Sequence, residues 1–119
     1  MAVQTRNITV TLFDNDGSPL PAARVQIKLV GMGNEPGGAV SPGTQEQLTG
    51  TDGVAVFVLW ENRQDYSDTY YEIRSWNPRT GAAIHRGEPF FVFDGDADVK
   101  DLLNVSAQKI DATQALLNQ

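Results

Sequence analysis

The side chains best placed to do chemistry are carboxylates. In "DGDADVKDLLN", residues 94–104, Asp94, Asp96 and Asp98 stand at alternate positions, as ligands do at the opening of an EF-hand calcium loop. The rest of that loop is missing. Val99 holds the position that needs glycine, and Val105 the position that needs a bidentate glutamate. The acidic run therefore reads as the cap and first turn of a helix, and no metal site is expected. Asp14, Asp16 and Asp52 lie among Asn, Gly and Pro, where a carboxylate hydrogen-bonds nearby backbone in a turn. His85 is the only histidine, and a catalytic triad, a histidine zinc site or a proton relay would each need partners that its neighbours do not supply. It reads as a surface strand histidine. "GMGNEPGG", residues 31–38, follows a strand but lacks the Lys-Ser/Thr ending of a phosphate loop and any βαβ context. Neither a catalytic nor a cofactor-binding residue is assigned.

Aromatic side chains offer a different chemistry. Trp60, Tyr66, Tyr70, Tyr71 and Trp76 crowd one short segment. Exposed, such rings stack on sugars or anchor a protein partner; inside a β-protein they form core or cross-strand pairs. Both readings stand, and Trp60, Tyr66, Tyr70 and Trp76 are the candidate partner-binding residues.

These residues need a scaffold, and composition limits what it can be. A chain of 119 residues, 40% hydrophobic and 20% charged, suits one soluble domain that buries roughly two thirds of its unfolded surface. The longest apolar run, Val54 to Trp60, falls far short of the ~20 residues that span a bilayer. "MAVQTRNITV" lacks a basic region before an apolar one, so no signal peptide is expected and the chain should fold in the cytoplasm where it is made. The absence of cysteine excludes disulfides and thiolate metal sites. A net charge of −6, with nine basic residues scattered among fifteen acidic ones, disfavours nucleic acid as a partner.

Periodicity supplies the elements. "RNITVTLF", residues 6–13, alternates Ile8, Val10 and Leu12 with polar residues, and Arg24 to Val30 does so more sharply with Val25, Ile27 and Leu29. "DNDGSPLP" between them is turn chemistry. Gly31 to Gly43 holds five glycines and two prolines and reads as a long loop. Gln45 to Leu48 suits a short edge strand. After the Asp52-Gly53 turn, Val54 to Trp60 is apolar on both sides and predicts a central strand covered on both faces. Tyr70 to Trp76, Ala82 to Arg86 and Glu88 to Phe93 complete about seven strands, with "NPRTG" as a hairpin turn. Beyond Asp94 the pattern turns helical, and Leu103, Ile110 and Leu117 recur at seven-residue intervals. Two heptads are too few to define a coiled coil. The tail either packs on its own sandwich or self-associates through Leu103, Ile110 and Leu117.

Together, "ITVTLFDNDGSPLPAARVQIKLVG", "TGTDGVAVFVLWEN" and "YYEIRSWNPRTG" resemble the prealbumin-like, carboxypeptidase-regulatory type of β-sandwich. The closer similarity is to the small β-domains near the amino terminus of bacteriophage tail fibres and related virion fibres. It rests on the Gly/Pro loop, on Leu59, Trp60 and Asn62, on Tyr71, Ile73 and Arg74, and on the acidic exit from Asp94 to Leu103. The resemblance implies an all-β, seven-strand antiparallel Ig-like or prealbumin-like sandwich over residues 1–93, with an acidic exit and C-terminal α-helical tail over 94–119. It implies a non-catalytic virion structural protein: a small fibre, a fibre-anchoring adaptor or a capsid decoration protein. Its expected partners are other virion proteins and copies of itself, as a homotrimer, with Gly31–Gly43 and the aromatic segment docking. A transthyretin-like hydrolase shares the fold class, but its several catalytic histidines and its Tyr-Arg-Gly-Ser ending have no match here. The rival reading is a carbohydrate-binding or adhesin module on a surface glycan, which Trp60 and Trp76 exposed on one face would favour.

Overall fold

The computed structural model describes residues 5–35, 38–62, 69–92 and 96–103. The chain is mostly β, with two main sheets that face each other across one core in a β-sandwich-like arrangement. One sheet has the order β6-β1-β9, where β1 is Thr5–Thr11, β6 Val54–Trp60 and β9 Ala97–Asp98. The other has the order β5-β2-β7-β8, where β2 is Arg24–Val30, β5 Gly43–Leu48, β7 Tyr70–Trp76 and β8 Ala83–Phe90. A separate hairpin joins β3, Gly33–Glu35, to β4, Gly38–Val40. A short helix, α1, occupies residues 99–103.

Alternation explains which faces meet. Ile8 and Val10 of β1 and Ala55, Phe57 and Leu59 of β6 point inward, against Val25, Ile27 and Leu29 of β2 and Tyr71 and Ile73 of β7. Each fully buried aliphatic or aromatic side chain among them contributes about 1.5–3 kcal/mol of transfer free energy. Tyr71 also stacks on Phe90 of β8, with ring centroids 5.5 Å apart. The pairings are antiparallel except one: β9 runs parallel to β1, with Ile8 opposite Ala97 and Thr9 opposite Asp98.

Three readings of the sequence change. Val54–Trp60 is an edge strand of its sheet, and Val56 and Val58 are 51% and 55% exposed. Its second apolar face is β-branched surface rather than core, and residue type alone does not separate the two. The Gly31–Gly43 loop contains the β3–β4 hairpin. The two strands read after "NPRTG" are a single strand, β8, interrupted by register shifts opposite β7 near Gly87, whose φ is +104°.

At one end of the sandwich three turns are joined. Thr49 donates its hydroxyl to the Leu20 carbonyl at 2.6 Å and accepts from the Ala23 amide at 2.8 Å. Asp14 accepts from Asn77 and pairs with Arg79 at 2.7 Å, which ties the β1–β2 turn to the β7–β8 turn. Gly53 has φ +77° and lies against Leu12, whose amide donates to the Gly53 carbonyl at 2.9 Å. A Cβ on residue 53 would sit 2.5 Å from the Leu12 carbonyl oxygen. Gly53→Ala should therefore cost about 2 kcal/mol or more, from left-handed backbone strain together with the clash. Urea unfolding would show it as a lower midpoint at constant slope; an unchanged midpoint would mean that the turn moves to admit the methyl.

Candidate functional site

The aromatic segment divides between core and surface. Trp60 is the last residue of β6 and is only 6% exposed. The β3–β4 hairpin covers it, with Gly33 so close to the indole that any side chain at 33 would collide with the ring. The Trp60 carbonyl accepts the buried Tyr71 hydroxyl at 2.8 Å, while burial pushes the Tyr71 phenol upward from its ordinary pKa. Trp76 stands half-buried on the outer face of β7 with the Arg24 guanidinium 4.4 Å from its ring centroid. The two tryptophans therefore do not form one exposed aromatic platform.

Tyr70 is half-buried at the start of β7, six residues before Trp76 on the same outer face. It opens onto a groove of about 330 Å³ between β7 and β8 that Glu72, Gly87, Pro89 and Phe91 complete. Glu72 lies 3.6 Å from Arg74, whose guanidinium rests over Gly87. The groove thus presents aromatic walls, a carboxylate acceptor and a neighbouring cation. Tyr66, the fourth candidate, lies outside the described residues.

His85 has a partner that the sequence did not reveal. The irregular β7–β8 register sets it opposite Ser75, with the Ser75 hydroxyl 2.8 Å from His85 Nδ1 and the His85 amide donating back to Ser75 Oγ at 3.2 Å. Ser75 is completely buried. This pair satisfies two polar groups at the core boundary. Among the described residues no group of His, Asp and Glu is placed to hold a metal ion. The carboxylates serve the backbone instead. Asp96 accepts from the Asn7 amide at 2.9 Å, and Asp98 from the Lys100 amide at 3.0 Å, which caps α1. Asp94 lies outside the described residues.

The exit is built into the sandwich. Val99 and Leu102 belong to the core, and Leu103 packs half-buried against it. Ile110 and Leu117 lie outside the described residues. Two polar groups at this site region had no signal in the sequence. Glu61 is buried and receives both Nε and Nη2 of Arg6 at 2.9 Å, from 55 residues away. Asn62, 0% exposed, donates to the Thr69 carbonyl at 3.2 Å and accepts from the Val92 amide at 2.8 Å. Their partners Arg6 and Val92 lie far along the chain, beyond the reach of any local pattern.

No described helix is long and apolar enough to cross a membrane. In comparisons with known proteins, the chain matches no family model and no curated sequence.

Burial lowers the His85 pKa from 6.5, against an opposing pull from Glu88. As pH falls through 6.5 the unfolded chain takes up the proton before the folded chain does, so stability drops and then levels off below the folded-state value. Melting between about pH 7 and 5.5 should show this loss, and His85→Gln should flatten it. Parallel curves for the two proteins would remove His85 from the account.

Proposed function

We propose that the chain is a non-catalytic bacteriophage virion structural protein with a seven-strand, prealbumin-like or Ig-like sandwich. It docks on a virion platform and self-associates as a homotrimer through the tail that follows residue 103. The virion is its place of action, after synthesis in the host cytoplasm. One observation carries the reading beyond the sequence resemblance. The acidic exit is fastened to the domain: β9 pairs with β1, Asp98 caps α1, and Val99 and Leu102 are in the core. Whatever follows residue 103 leaves from a fixed point, as a subunit that joins a platform to a symmetric assembly requires. The Ser75–His85 pair supports a role without catalysis, because its hydroxyl is buried and engaged.

The solution mass of the full chain, measured by light scattering, should be that of a trimer, and a version ending at Asn104 should be monomeric. A full chain that is monomeric at every accessible concentration would overturn self-association.

The Tyr70 groove favours a second reading, a carbohydrate-binding or adhesin module. A sugar ring stacks on Tyr70 while Glu72 accepts and Arg74 donates hydrogen bonds. On this reading the protein binds a defined glycan on an array and Tyr70→Ala loses it; a blank array for the full chain would dismiss it.

A further inference from the structure

The sandwich is open along one side. β5 and β6 are the adjacent edges of the two sheets, and they are joined by a side chain rather than a ladder: Gln45 Nε2 donates to the Val58 carbonyl at 3.1 Å. Behind this bridge a recess of about 220 Å³, open to the outside, lies against the core. Its inner wall is Ile27 and Leu29 of β2 with Tyr71 of β7, which lies directly opposite Leu29. Trp60 closes one side, and Val40 of the β3–β4 hairpin forms the roof. The opening exists because small residues stand where large ones would fill it. Gly43, which pairs with Leu29, has open space where a Cβ would be, and Gly33 holds the hairpin tightly on Trp60.

Volume and polarity define what fits. A cavity of ~150 Å³ lined by aliphatic and aromatic side chains is enough to hold benzene, and this one is larger at about 220 Å³. The deep wall carries one ionisable side chain, Tyr71, and its hydroxyl is spent on the Trp60 carbonyl. A charge brought here would give up water for ring faces and a hydroxyl already engaged, a poor exchange. Polar groups gather at the mouth. Ser41 is turned to the Pro42 carbonyl and Gln45, opposite Ile27, to Val58.

We propose that this cavity is a binding site for one small uncharged ligand about the size of a single aromatic ring. The ligand enters between β5 and β6 and carries at most one polar atom, which stays at the mouth. This site is separate from the Tyr70 groove and requires neither a trimer nor a virion.

The test uses the full chain with labelled methyl groups and three probes that share one ring: toluene, benzyl alcohol and benzylammonium. Toluene and benzyl alcohol should shift the methyl resonances of Ile27, Leu29 and Val40 saturably and raise the Tm by a few degrees at saturation. Benzylammonium should bind at least about tenfold more weakly, because its charge is not solvated inside. Ser41→Trp, at an exposed position on the mouth, should abolish the shifts of both neutral probes. Shifts that do not saturate, shifts centred on other methyls, or equal binding of the ammonium probe would overturn the proposal. Should Ser41→Trp fail to fold, the methyl map of the unsubstituted protein decides by itself.

Discussion

Everything at one end of the sandwich hangs on the amide of Asn62. Where β6 leaves its sheet, the backbone has no ladder to follow, and this side chain supplies the missing partners. It donates to the Thr69 carbonyl just before β7 and accepts from the Val92 amide just after β8. One residue just beyond the three-stranded sheet thereby ties down both ends of a hairpin in the other. Beside it, Glu61 is a buried carboxylate held by Arg6 at 2.9 Å. Removal of Arg6 would strip this buried carboxylate of its guanidinium, which costs more than the pair itself contributes. Thr49 and Asp14 perform the same service at the opposite end. The core between them can therefore be wholly apolar.

That arrangement also explains how β6 survives as an edge. An edge strand offers unpaired backbone to any passing chain. Here three of its outward carbonyls are met: Val54 by the Gly50 amide at 3.0 Å, Val58 by Gln45 at 3.1 Å and Trp60 by the Tyr71 hydroxyl at 2.8 Å. None of the three partners is a strand. These contacts leave less of the edge backbone free for another strand.

Much of the architecture was legible because strict alternation has a single meaning in β1 and β2. The inward sets Ile8 and Val10, and Val25, Ile27 and Leu29, follow directly from period two. β6 was legible as a strand and misread as central, since Val56 and Val58 satisfy the same propensity whether covered or exposed. β9 was invisible. Two paired residues have no periodicity, and their place depends on β1, 89 residues away along the chain in the Asn7–Asp96 contact. The site residues divide on the same principle. Trp60 could not be placed without knowing that a glycine would lie on its ring, and Ser75 met His85 only through the irregular register of β8. Local chemistry fixed the caps and turns, as with Asp98 and Gly53, whereas long-range register fixed the partners.

The parallel pairing of β1 with β9 has a mechanical meaning. Because the two strands run the same way, β1 begins at the end of the sandwich opposite to the one where β9 leads into α1. Tension applied between residue 5 and residue 103 would draw them past each other along their length. The β1–β9 bonds and the β1–β6 ladder would then be loaded together in shear, rather than opened one at a time as in an unzipping hairpin. Load applied between these two points is thus shared across the ladders rather than met bond by bond.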